Sequence, residues 1–200
     1  MMRLRAARPD DADAVAHVCL RTAAAGQDAT GRLPDDRLWA DLYALPYLAL
    51  EPGFAFVVTD DDDRPVGYVL GTASTPGFVR AFRERWLPTV AARYPEGPRD
   101  DALEAGLVHT LHHPEEGWRT ALEDYPAHLH VDLLPAAQGA GWGRALLTRF
   151  FAAVRAAGAP GVHLGVDPEN TRAVAFYEHL GLRRLPTLPD ALLVAPATLL

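Results

Sequence analysis

The residues with the plainest capacity for chemistry lie between positions 128 and 181. The run Val131-Asp-Leu-Leu-Pro-Ala-Ala-Gln138-Gly139-Ala140-Gly141-Trp142-Gly143-Arg144 passes from a β-prone stretch, through glycines, into an amphipathic stretch. Glycines allow positive φ and close approach. A helix beginning just after them offers unpaired N–H groups and the positive end of its dipole. That combination makes a cradle for phosphate or pyrophosphate. The alternative is a glycine-rich helix start that holds no ligand. Gly139 and Gly141 fit the first two places of a dinucleotide-binding G-x-G-x-x-G. The third place is Arg144 and the loop comes late in the chain, so that reading is poorly supported.

A second group precedes the loop. His128, His130 and Asp132 alternate, so a strand would set all three on one face. Asp132 and His130 could each take a proton from a nucleophile, and histidine titrates near neutral pH. His128-x-His130 and His109-x-x-His112-His113 also raise the question of metal. Zinc needs three or four convergent ligands, and nothing in the spacing brings them together. We expect no metal.

The elements that must position these groups read as follows. Arg3 to Ala6 is a short strand. A helix opens at Pro9 with Asp10 and Asp11, buries Val15, Val18 and Cys19, and ends by Gly26. Pro34 and Asp35 open a second helix through Leu38, Leu42 and Leu45. Phe54 to Thr59 and Val66 to Thr72 form an antiparallel hairpin. In residues 77–126, Phe78, Phe82, Trp86 and Val90 share a helical face that Pro88 should bend or break. Leu103, Leu107 and Leu111 suggest a further helix. Trp86, Tyr94, Trp118 and Tyr125 read as packing aromatics. Leu129 to Leu134 is a strand, and a long helix follows the glycine loop. Val162 to Val166 is another strand, and a helix from Asn170 stops at Gly181. Closing strands at 183–185 and 192–195 complete an α/β pattern.

The spacing Gln138-x-x-Gly141-x-Gly143 resembles the acetyl-coenzyme-A loop of the GNAT (GCN5-related) N-acetyltransferases. Asn170-Thr-Arg-Ala-Val-Ala-Phe-Tyr-Glu-His-Leu-Gly181 is similar to that family's N-x-x-A-x-x-F-Y-x-x-x-G-F segment, with Leu182 in place of the last aromatic. The hairpin and the Trp86-Leu-Pro88 stretch resemble the acetyltransferase-like C-terminal domain of O-GlcNAcase and its stand-alone bacterial relatives. The eukaryotic domain lacks the glycine loop that this chain keeps.

The resemblance implies one domain over residues 1–200. Its fold would be a mixed, mostly antiparallel sheet splayed between the fourth and fifth strands, flanked by helices, with a helical insertion at 77–126. It implies acetyl-coenzyme A as cosubstrate, held by the backbone of Leu133 and Leu134 and by Gln138, Gly139, Ala140, Gly141, Trp142, Gly143 and Arg144. Asn170, Phe176 and Tyr177 would contribute from the next helix. Tyr177 would stand near the coenzyme sulfur as proton donor, with Asp132, and after it His130, as the base. The implied reaction is direct acetyl transfer to a small-molecule or protein amine. A catalytically silent coenzyme-binding module is the rival, and a thioesterase a weaker one. Cys19, in the first helix, is expected to lie far from this machinery.

Composition sets outer bounds. The 200 residues are 49% hydrophobic and 22% charged, which is ordinary globular usage. All 19 basic residues are arginine, so a lysine Schiff base and a Walker-type phosphate loop are excluded. A net charge of −7 argues against unspecific binding to nucleic acid or anionic membrane. One cysteine cannot form an internal disulfide, and no apolar run reaches the ~18 residues of a membrane span. A cytoplasmic location is the expectation, and nothing in the chain fixes its oligomeric state.

Overall fold

The computed structural model describes residues 1–185 and 192–200. In chain order the elements are β1 (Arg3–Ala6), α1 (Ala12–Leu20), α2 (Arg37–Tyr43), α3 (Leu45–Leu50), β2 (Ala55–Thr59) and β3 (Pro65–Thr72). Then come α4 (Thr75–Ala81), α5 (Leu87–Val90), α6 (Ala102–His112), β4 (Ala127–Leu133), α7 (Trp142–Ala156), β5 (Gly161–Gly165), α8 (Thr171–Leu180) and β6 (Leu192–Pro196). Among the described residues, six strands form one sheet in the order of the chain. Every neighbouring pair is antiparallel except β4–β5, which is parallel.

That parallel pair is short. Ala127 faces Val162 and His128 faces His163, and there the register ends. Beyond this point β4 stays on β3 as far as Leu133, and β5 stays on β6 as far as Gly165. The sheet therefore splays between its fourth and fifth strands, as expected.

Strand alternation assigns the two faces. Val57, Tyr68 and Leu70 turn into a core with Val15, Val18 and Cys19 of α1, Leu38 and Leu42 of α2, Tyr47 of α3 and Leu111 of α6. Phe56, Val58, Val69 and Leu129 turn the other way, against Leu146, Phe150 and Val154 of α7 and Tyr177 and Leu180 of α8. Burying apolar area on both faces supplies the main driving force, roughly 25 cal/mol per Å².

Several boundaries differ from the sequence reading. The first helix stops at Leu20, and Gly26 (φ 84°) instead closes a later turn in which Ala24 and Gln27 pair. The stretch 34–45 divides into α2 and α3 at Ala44 (φ −131°), because Pro46 has no N–H for the next helical bond. Pro88 has a related effect. The turn before it, Phe82–Trp86, widens into a π-helix, so the chain passes from α4 to α5 without a sharp break. Leu103 is 40% exposed, and Val108 joins Leu107 and Leu111 on the buried side of α6. The fourth strand begins two residues early, at Ala127. Residues 183–185 contribute a single bridge, Arg183 to Val194, rather than a strand.

Candidate active site

The glycine loop follows directly from the end of β4. Gly139 (φ 78°) and Gly141 (φ 84°) lie in the left-handed region, where other residues are strained. A Cβ built at either glycine meets nothing within 4 Å beyond its chain neighbours, so both positions border open space. Gly141 caps α7, and the first helical bond is Ala145 N–H to Gly141 O, at 3.1 Å. The amides of residues 142–144 therefore open the first turn with no carbonyl one turn back. Arg144, Thr148 and Arg149 run along the adjoining groove with Gly141, and Arg144 is exposed. Gly143 has a different role: its Cα side packs on α8, where a Cβ would come within 3.1 Å of Phe176. An open row of donors at a helix start, with Arg144 in its first turn, fits the pyrophosphate of a coenzyme.

The end of β4 divides the backbone groups expected to meet a ligand. Leu134 N–H donates to Val66 O on β3, so this amide is turned away from the splay. Strand alternation then points the N–H and C=O of Leu133 into the splay. The Leu133 carbonyl accepts from Nε2 of Gln138 at 2.8 Å, and Oε1 of Gln138 accepts from Arg172 on α8. The Leu134 amide thus belongs to the β3 ladder, while Leu133 turns its backbone toward the opening, with its carbonyl held by Gln138. Asn170 caps α8 through Oδ1, which accepts from Ala173 N–H at 3.1 Å.

His128, His130 and Asp132 share one face of β4, opposite Thr72, Leu70 and Tyr68 of β3. They fall into two clusters. In the first, Tyr68 donates its hydroxyl to Oδ2 of Asp132 at 2.7 Å. Burial raises the pKa of Asp132, and the hydrogen bond from Tyr68 opposes the rise. Tyr177 lies close enough to feel this carboxylate. Its phenol pKa is raised first by burial and then by the charge of Asp132.

Cys19 also belongs to this cluster, contrary to expectation. The fold packs α1 on β3, which puts the thiol in hydrogen-bond contact with Tyr68. It is 4% exposed, and its pKa is pushed up to about 12 by burial and by the charge of Asp132. A thiol so held is a poor nucleophile.

The second cluster lines a cleft of about 190 Å³ at the mouth of the splay. Its walls include Tyr43 and Tyr47, Phe78 and Phe82, and the imidazoles of His128, His130 and His163. Tyr47 stacks on Phe78 with ring centroids 4.2 Å apart. Its hydroxyl lies 2.7 Å from Nε2 of His128 and 3.2 Å from Nε2 of His130. Burial, followed by the charge of His163, lowers the pKa of His130 to about 4. Burial, then the charges of His163 and His130, hold His128 well below the usual histidine range.

A model of the acetyltransferase (GNAT) family matches residues 24–182. The chain belongs to this family. Rat (Rattus norvegicus) O-GlcNAcase is 24% identical over 137 residues, which is 67% of this chain and 15% of that protein. A mycothiol acetyltransferase of Beutenbergia cavernae is 53% identical over 128 residues, or 54% of this chain and 43% of that protein. The chain thus spans less than half the length of these curated relatives. Among solved structures, that of SsHAT shares 44% identity over 98% of both chains, with a TM-score of 0.92. Among the described residues, no cluster of three or more His, Cys, Asp or Glu is arranged to hold a metal, and no helix is long and apolar enough to cross a membrane.

Of the expected GNAT site residues, Asp132 and Tyr177 meet electrostatically, while His130 faces the aromatic cleft. Tyr47, Thr75 and Tyr68 also enter the site, and the sequence reading passed over them. Tyr68 carried a signal, since alternation along β3 sets it on the same face as Leu70. Tyr47 and Thr75 carried none, because helix packing alone brings them to β4.

Proposed function

We propose that this protein is a single-domain N-acetyltransferase that moves an acetyl group from acetyl-coenzyme A to an amine in a ternary complex. The observation that carries this reading is an open glycine cradle after β4 in a sheet whose β4–β5 pair ends early, with a cleft lined by residues of those same two strands. Acetyl-coenzyme A, when bound, supplies a thioester carbonyl open to attack by an amine. The amides of residues 139–144 hold the pyrophosphate, with Arg144 adding charge. Leu133 offers its splay-facing backbone to the arm once Gln138 swings aside, and Asn170 and Phe176 flank the path from α8.

His130 takes the proton that the amine loses on attack, since it lines the cleft as a neutral imidazole. Asp132 ranks behind it, because its carboxylate is already held by Tyr68. Tyr177 donates a proton or hydrogen bond to the departing sulfur, and the raised pKa of its phenol keeps that proton available. Attack is direct, because the one cysteine is a buried thiol. The acceptor is a small-molecule or protein amine, and the cleft favours one with a compact, partly apolar body at the reacting end.

Titration calorimetry tests the cradle. Wild-type protein should bind acetyl-coenzyme A, and Gly141→Asp should abolish binding, because it adds a negative charge at the anion site and strains a φ of 84°. Equal affinity in both proteins would overturn the assignment.

A further inference from the structure

The geometry points to a directed hydrogen-bond chain, Pro126–Thr75–His128–Tyr47–His130, in which Thr75, His128 and Tyr47 are positioning residues that fix the tautomer of His130 and leave its Nδ1 as the proton acceptor. This rests on the role proposed above for His130, and extends it to three residues that do not themselves take the proton.

The direction of the chain is set at one end. The carbonyl of Pro126 can only accept, and Oγ1 of Thr75 lies 2.8 Å from it. A hydroxyl has one proton to give, so Thr75 spends it there. Oγ1 also lies 2.6 Å from Nδ1 of His128. That contact must then be Nδ1–H donating to Thr75. A neutral imidazole has one N–H, so Nε2 of His128 is bare and accepts from the Tyr47 hydroxyl at 2.7 Å. With its proton spent, Tyr47 can only accept at its 3.2 Å contact with His130, so Nε2 of His130 carries hydrogen. Nδ1 of His130 is left bare. The reverse direction would set two lone pairs against each other, at Thr75 and Pro126.

The surroundings keep each link in the required state. Burial holds both β4 histidines neutral at pH 7. It also raises the Tyr47 phenol, with Tyr43 and Glu51 adding to the rise, so its proton stays in place. His130 is faced by Tyr43 from α2 at 5.5 Å, by Tyr47 from α3 at 5.1 Å and by His128 along β4 at 6.2 Å, measured between ring centroids. His163 on β5 lies beyond His128 with its ring tilted, centroids 5.5 Å apart, and gives its own Nδ1–H to Tyr125 O. Asp132 follows two residues on along the same face. A base needs a bare nitrogen in the cleft before substrate arrives, and a fixed tautomer supplies it with no reorganisation.

Nitrogen-15 NMR of the histidine rings reads the tautomers without any acceptor or coenzyme. Wild-type protein at pH 7 should show His128 protonated on Nδ1 and His130 on Nε2. Thr75→Val should turn both into mixtures, and Thr75→Ser should restore them. Tyr47→Phe keeps the stacked ring and should disturb His130 while His128 stays on Nδ1; in an acetyl-transfer assay it should lower kcat about tenfold with little change in KM. His128 protonated on Nε2, His130 on Nδ1, or a Thr75→Val protein with an unchanged His130 would overturn the chain. Tautomers as assigned in a protein that transfers nothing would instead sink the enzyme reading and leave the chain standing.

Discussion

The phenol of Tyr68 donates to Oδ2 of Asp132 across 2.7 Å, joining β3 to β4 in the stretch where β4 has parted from β5. The bond favours the charged carboxylate, and burial opposes it. Tyr68→Phe removes the donor and keeps the ring in the core. The pKa of Asp132 should rise further, because only the charged form loses a partner. A carbon-13 titration of the Asp132 carboxyl in both proteins checks this. An unchanged or lower value in the variant would mean that the hydroxyl does not stabilise the carboxylate.

The histidine of the cleft gives a pH signature. The His130 pKa lies at about 4, lowered by burial and by His163. The imidazole is then bare throughout the neutral range, and protonation disables it only in acid. With the acceptor's own titration divided out, kcat/KM should stay level from pH 8 downward and fall as pH drops through about 4. An exposed histidine would put that limb near ~6.5. A limb there would remove His130 from the role of base.

Tyr177 on α8 is 8% exposed and coupled to Asp132. Tyr177→Phe keeps the packing of the helix and removes one hydroxyl. A contact made mainly in the transition state is lost from kcat rather than KM, and general-acid contributions run to ~10-fold or more. Steady-state kinetics of the variant should show that loss in kcat. Wild-type turnover would leave Tyr177 as a packing residue.

Much of this arrangement was legible in the sequence because local chemistry dictated it. Gly139 and Gly141 mark backbone that needs positive φ, and Asn170 marks a helix cap; both signals are encoded within a few residues. The alternation of His128, His130 and Asp132 likewise placed them on one face. What failed was long-range. Cys19 is 113 residues from Asp132 in the chain, and only the packing of α1 on β3 puts it beside the Tyr68–Asp132 pair. Tyr47 meets His128 across 81 residues and Thr75 meets the same ring across 53, and no spacing rule announces such contacts. Pro88 was visible as a helix breaker, while Pro46 went unread at the end of the second helical stretch. Their outcomes differ, a division at Ala44 and a π turn before Leu87, because packing chose between ways of accommodating a missing N–H.

The central claim is that the cradle and the cleft together transfer acetyl groups rather than merely hold coenzyme. The chain contains no lysine, so acetylation of the protein itself contributes almost no background in an assay with amines. The most direct measurement is amine-dependent release of free coenzyme A thiol across a broad panel of small amines and peptide N-termini, with binding of acetyl-coenzyme A confirmed by calorimetry on the same sample. Thiol release above the amine-free rate, lost in His130→Gln, is the predicted result. Proven binding with no amine-dependent release anywhere on the panel would contradict it and leave a coenzyme-binding module.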